Sequence, residues 1–156
     1  MNPKRYYIAA ALGSAALMLG ALAFQHIGGL APCKLCIWQR YPHVIAIGLG
    51  LLALLLKNAR ARLLVIVAGA IAAATTAAIG IYHAGVEKGI FEGPTSCTSN
   101  GIGNVSPDEL LTQILAAPLI RCDDIAWQLA GISMAGWNAI ISLGLCLLWL
   151  MALKRS

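Results

Sequence analysis

The stretch Pro32-Cys33-Lys34-Leu35-Cys36-Ile37-Trp38-Gln39-Arg40 sets a Cys-x-x-Cys and an arginine at the mouth of an apolar run, Val44 to Leu56. Crossing the hydrocarbon of a bilayer takes about 20 helical residues, so the run from Val44 is too short alone. The spacing therefore predicts a helix that begins near Cys36 and spans Ile37 to Leu56, roughly 30 Å at about 1.5 Å per residue. Arg40 then lies in its first turns, on the same face as Cys36 four residues earlier. Cys33 joins them if the helix starts a turn sooner, with Pro32 at its first position. A helix N-terminus and a nearby arginine both favour the thiolate, the form that attacks disulfides, which makes Cys36 the better placed sulfur. An arginine inside an apolar span turns toward the bundle or a cavity and takes a partner. A sulfur anion or a reducible carbonyl ligand would serve. The alternative is that Arg40 snorkels to the surface above an ordinary short-loop disulfide.

Of the 156 residues 60% are hydrophobic and 11% charged, and the mean hydropathy is +0.80. That excludes an ordinary soluble domain and predicts an all-α integral membrane protein, a bundle of four transmembrane helices. The net charge of +5 does not point to nucleic acid, because no soluble segment carries a basic patch with interleaved aromatics.

Taken in order, Met1 to Arg5 is a basic head, and Tyr7 to Gln25 is the first span, with Tyr6 and Tyr7 at the interface. A cleaved signal peptide is the competing interpretation, with Lys4-Arg5 as its basic region and Ala21-Leu22-Ala23 as its cleavage site. Residues 26–36 form a short outer turn, and the second span follows over 37–56. The basic turn 57–62 is short enough to force an antiparallel hairpin with the third span, 63–82. Residues 83–131 are one long polar loop, broken by Gly93-Pro94, Gly101, Gly103, Pro107 and Pro118. The fourth span is 132–153. Small residues, including Gly13, Gly20, Gly48, Gly69 and Gly144, are expected to let the helices approach closely in lipid.

Charge predicts the orientation. Lys4, Arg5, Lys57, Arg60, Arg62, Lys154 and Arg155 lie in the two termini and the middle turn, which puts that side in the cytoplasm. All six acids lie in the long loop, opposed there by Lys88 and Arg121 alone, for a local net of −4. The Cys33 turn shares this outer side, in a bacterium the oxidising periplasm, where disulfides persist.

Four of the five cysteines thus face the periplasm, as a membrane-edge pair, Cys33 and Cys36, and a widely spaced pair, Cys97 and Cys122. Cys146, deep in the fourth span, is expected to pack as a small apolar residue. A structural bridge between Cys97 and Cys122 would close a loop of about 26 residues, worth ~3 kcal/mol by chain entropy. Against a purely structural role, Gly93 to Gly101 is small and polar, suited to a sulfur that another protein must reach. Sulfur exchange needs direct contact, so a loop carrying Cys122 to Cys33 would set two dithiols in series. Electrons would enter at the outer pair and leave from the membrane-edge pair to a lipid-soluble oxidant beside Cys36. Zinc or copper on Cys33 and Cys36 with His26 and His43 is disfavoured by the oxidising side and by Arg40, and no metal is expected. His83, at the outer end of the third span, is a candidate hydrogen-bond donor to the acceptor. Gln25 and Gln39 are polar edge residues without an assigned role.

Four spans, Cys33-Lys34-Leu35-Cys36-Ile37-Trp38-Gln39-Arg40 in the first outer turn, and Cys97 with Cys122 in the second resemble the DsbB family of bacterial inner membranes. Phe24-Gln25-His26, Tyr82 with His83, and the tail set Cys122, Trp127, Met134 and Trp137 extend the likeness over nearly the whole chain. The resemblance implies a thiol:quinone oxidoreductase that reoxidises DsbA, a periplasmic thioredoxin-like dithiol oxidase, and passes the electrons to ubiquinone or menaquinone. It implies that Cys97 forms the mixed disulfide with the partner and that Cys122 exchanges with Cys33. It also implies that Cys36 forms the thiolate adduct or charge-transfer complex with quinone, with Arg40 steadying the developing negative charge. Two other classes compete: a non-enzymatic scaffold or transporter subunit stapled by two structural disulfides, and a quinone-linked reductase of the vitamin K epoxide reductase type. In the latter the membrane-edge Cys-x-x-Cys comes late in the chain, whereas here it follows the first span.

Overall fold

The computed structural model describes residues 3–94 and 121–156. Four long helices carry the described residues: α1 Pro3–His26, α2 Lys34–Leu55, α3 Ala59–Glu87 and α4 Met134–Lys154. A two-stranded hairpin, β1 Gln128–Leu129 and β2 Ile132–Ser133, leads into α4. The helices close into a ring in which α1 touches α2 and α4, and α3 touches the same two from the other side.

Local chemistry sets the ends. Pro3 opens α1, where its missing N–H costs nothing. Asn58 caps α3 with its side-chain oxygen on the amides of Arg60 and Ala61, at 2.9 and 3.3 Å, so only Leu56 and Lys57 separate α2 from that cap. Ser133 caps α4 through the Gly136 amide at 3.2 Å. The hairpin turn, Ala130-Gly131, has positive φ at both residues, 52° and 75°, the two-residue turn whose twist matches paired strands. This hairpin replaces the start of the expected fourth span at residue 132, because the Ser133 cap holds helix formation back to Met134.

Among the described residues three helices, α1, α3 and α4, are long and apolar enough to cross a membrane. Their outward faces carry large apolar side chains such as Leu12, Ile71 and Leu147, and Leu64 is 71% exposed. Apolar cover on this scale suits lipid and not water. Helix α2 packs in the ring but is not among the three; Trp38, Gln39, Arg40 and His43 dilute the apolar character of its first half. Pro42 lies inside α2 and withholds the amide that the Trp38 carbonyl would accept. Thr76 of α3 donates its hydroxyl to the neighbouring Gln39 carbonyl at 3.1 Å, restoring a bond beside the break.

Helix α3 runs to Glu87, past the expected end at Tyr82. At about 1.5 Å per residue it measures roughly 43 Å, longer than the ~30 Å hydrocarbon. Its last turns carry His83 and Glu87. One core cluster joins Tyr7, Ile66 and Trp149; the other joins Cys33, Leu35, Val86 and Cys122, with Cys36 and Tyr82 packed on it. Of the small residues expected at interfaces, Gly13 and Gly69 are used and Gly20, Gly48 and Gly144 meet nothing. A Cβ at Gly69 would lie 2.6 Å from the Trp149 indole, so only glycine lets α3 and α4 close there.

Candidate dithiol site

Cys33 is the N-cap of α2. Its sulfur accepts the Cys36 amide at 3.2 Å, so Cys36 sits in the first turn, ahead of the apolar part that begins at Ile37. The helix starts three residues earlier than Ile37 and leaves Pro32 outside it. The capping bond is the reason: a sulfur at the N-cap answers an amide that has no partner within the helix. The same bond brings the two sulfurs to 2.8 Å. Both are free thiols, as is Cys146 in α4, whereas Cys122 is disulfide-bonded.

The two thiols are unequal. Cys33, buried and facing Cys36, keeps its proton well above the usual thiol range. Cys36 falls to about 7, chiefly through the hydrogen bond from the Cys33 thiol and then through the Cys33 backbone and the Arg40 charge, which together outweigh its burial and the Glu87 charge. The largest of these influences is the neighbouring cysteine, ahead of Arg40.

Arg40 is half-buried, and its Nη1 donates to Gln25 Oε1 at 2.6 Å at the end of α1. That partner is a neutral amide, and among the described residues no carboxylate pairs with the guanidinium. His83 is buried against Cys33, with Nε2 3.5 Å from its sulfur and 3.9 Å from Glu87 Oε1. The ring also hydrogen-bonds the Cys122 backbone, which ties the tail to the dithiol. The imidazole that joins the two sulfurs within 4.8 Å is His83. His26 is exposed at the end of α1, and His43 is engaged deeper, at 2.9 Å from Asn138 Oδ1.

These groups open on one cavity of about 400 Å³. Cys33, Cys36, Arg40, His43, His83 and Asn138 line it, and the remaining wall is mostly apolar, with Phe24, Met134 and Trp137. A flat, largely apolar ring with polar atoms at its edge fits such a space, since the wall supplies contact area and the polar groups supply orientation. Of the site residues predicted from sequence, Cys33, Cys36, Arg40, His83 and Cys122 come together here; Cys97 lies outside the described residues. Glu87, Asn138 and the contact of Gln39 with His83 were missed, because only the packing of α2, α3 and α4 brings them to the dithiol.

The family model of disulfide bond formation protein DsbB matches residues 3–152. The chain belongs to the DsbB family. It is similar to disulfide bond formation protein B of Stutzerimonas stutzeri, 29% identical with 99% of this chain and 96% of the relative covered. Disulfide bond formation protein B 2 of Pseudomonas aeruginosa is 32% identical, covering 97% of this chain and 90% of the relative. Disulfide bond formation protein B of Verminephrobacter eiseniae is 33% identical, covering 97% of this chain and 87% of the relative. At the level of the DsbB family, this is an oxidoreductase of disulfide bond formation built on helices apolar enough to cross a membrane.

Proposed function

We propose that this chain is a thiol:quinone oxidoreductase of the bacterial inner membrane, which reoxidises a DsbA-like periplasmic protein and delivers the electrons to ubiquinone or menaquinone. The observation that carries it is the dithiol opening beside Arg40 into an apolar cavity of about 400 Å³. In the first exchange the partner's dithiol breaks a disulfide of Cys97 and Cys122 and leaves oxidised. The reduced outer pair then breaks a Cys33–Cys36 disulfide, Cys122 attacking at Cys33, with which it shares a packed cluster. Each exchange breaks one S–S bond, forms one, and moves two electrons with two protons. Quinone supplies the sink, taking two electrons and two protons to become the hydroquinone.

Within the site, Cys36 offers the thiolate, and Arg40 places a cation where negative charge grows. Gln25 fixes the guanidinium, and the apolar wall excludes water, which strengthens that attraction. The polar side of the pair faces the periplasm.

The test is turnover in membranes supplied with reduced partner and quinone. Serine at Cys33, Cys36, Cys97 or Cys122 each abolishes it, and Arg40→Ala raises the quinone KM or depresses turnover. Full activity of Cys97→Ser rules out the electron path. Failure to extract any quinone from the purified protein, or to reduce one added to it, removes the acceptor.

A further inference from the structure

Carbonyl groups only accept hydrogen bonds, and two of them orient the buried amides around His83. The Gln39 side-chain atom 3.3 Å from the Leu35 backbone carbonyl must be its NH₂. Its other atom, Oε1, accepts from Asn138 Nδ2 at 2.6 Å. The Asn138 amide is oriented in turn. Its Nδ2 also reaches Thr76 Oγ1 at 3.2 Å, a hydroxyl already committed as donor to the Gln39 backbone carbonyl. Its Oδ1 takes the His43 ring at 2.9 Å and faces the Ser142 hydroxyl at 3.5 Å. With both amides oriented, Gln39 Nε2 must donate across 2.8 Å to His83 Nδ1, and that nitrogen must carry a lone pair.

We propose that Gln39 and Asn138 are positioning residues that hold His83 with its proton on Nε2, aimed at the Cys33 sulfur. The Nε2 atom faces two groups able to accept, the Cys33 sulfur at 3.5 Å and Glu87 Oε1 at 3.9 Å, and the Cys122 backbone also takes a hydrogen bond from the ring. The donor steadies negative charge on Cys33 whenever that sulfur carries it during exchange. It complements the cation beside Cys36, so each sulfur has its own stabiliser. A neutral imidazole in the other tautomer would turn a lone pair to the sulfur and repel the charge. The role in exchange rests on the function proposed above; the tautomer itself does not.

Nitrogen-15 histidine NMR of the full-length reduced protein, without quinone or partner, at about pH 8 where an ordinary imidazole is neutral, reads the proton position directly. The His83 signal is assigned by its loss in His83→Gln, as the chain holds three histidines. In the native protein Nε2 is protonated and Nδ1 is bare. Gln39→Glu, near in shape but able only to accept, puts a proton on Nδ1. Asn138→Asp does the same at one remove, by turning the Gln39 amide round. Where Asn138→Asp fails to fold, the native spectrum and Gln39→Glu decide. In a Cys36→Ser background the neutral change Gln39→Met slows alkylation of Cys33 about tenfold, the size of a lost hydrogen bond to a charged group. A native Nδ1 proton, a bare Nδ1 in Gln39→Glu, or unchanged alkylation in Gln39→Met overturns the proposal. Absence of quinone reduction would leave the spectrum as it is and would count only against the function proposed above.

Discussion

Cys36 owes its acidity to a neighbour of its own kind. The Cys33 thiol donates to it, and that bond is the largest of the influences bringing it to about 7. Below that pH Cys36 is a thiol and reacts slowly; as pH rises through about 7 the thiolate appears and alkylation quickens to a plateau. Cys33→Ala removes the donor and moves the midpoint up toward the ordinary thiol value, which is read from iodoacetamide rates against pH. Serine is the wrong substitute here, since its hydroxyl still donates. An Arg40→Gln change moves the midpoint up less, as Arg40 ranks below the Cys33 thiol and the Cys33 backbone.

At the scale of the elements, the site depends on how closely α3 meets its neighbours. Gly69→Val forces a side chain into the Trp149 indole, where even a Cβ would sit at 2.6 Å. The overpacking costs ~1–3 kcal/mol, measured as lost resistance to denaturant in detergent; shrinking the ring with Trp149→Leu recovers part of it. Thr76→Val leaves the Gln39 carbonyl beside Pro42 without its hydroxyl and costs about 1 kcal/mol, the net worth of one hydrogen bond. Turnover suffers in proportion to any shift of Gln39. The helix starts show why boundaries read from apolar runs alone came out late: Cys33 and Asn58 cap helices that reach beyond their apolar stretches. Those extra turns carry Lys34 to Cys36 on α2 and, at the far end of α3, His83 to Glu87.

For the whole molecule, charge and cysteine placement predict opposite faces in different compartments. In a cysteine-free background, Asn58→Cys is labelled by an impermeant maleimide only after the cytoplasmic side is opened, and Lys88→Cys is labelled in intact cells with a permeabilised outer membrane. The reverse pattern would place the dithiol in a reducing compartment and end the proposed relay. The four-helix ring is what makes one cavity of groups drawn from each of the four described helices: Phe24 from α1, Cys36 and Arg40 from α2, His83 from α3 and Asn138 from α4.

The amino-acid order alone determined the helical membrane class, the membrane-edge Cys-x-x-Cys with Arg40 one turn behind it, and the family. These features depend on composition and on residues near one another in the chain, where periodicity and spacing carry the information. Only the tertiary structure decided that Gln25 holds Arg40, that His83 stands against Cys33, and that Gln39 and Asn138 orient that ring. The physical reason is separation: Gln39 and Asn138 lie 99 positions apart and Cys33 and His83 50. A polar residue in an apolar helix shows that it needs a partner, but packing alone chooses which one it finds.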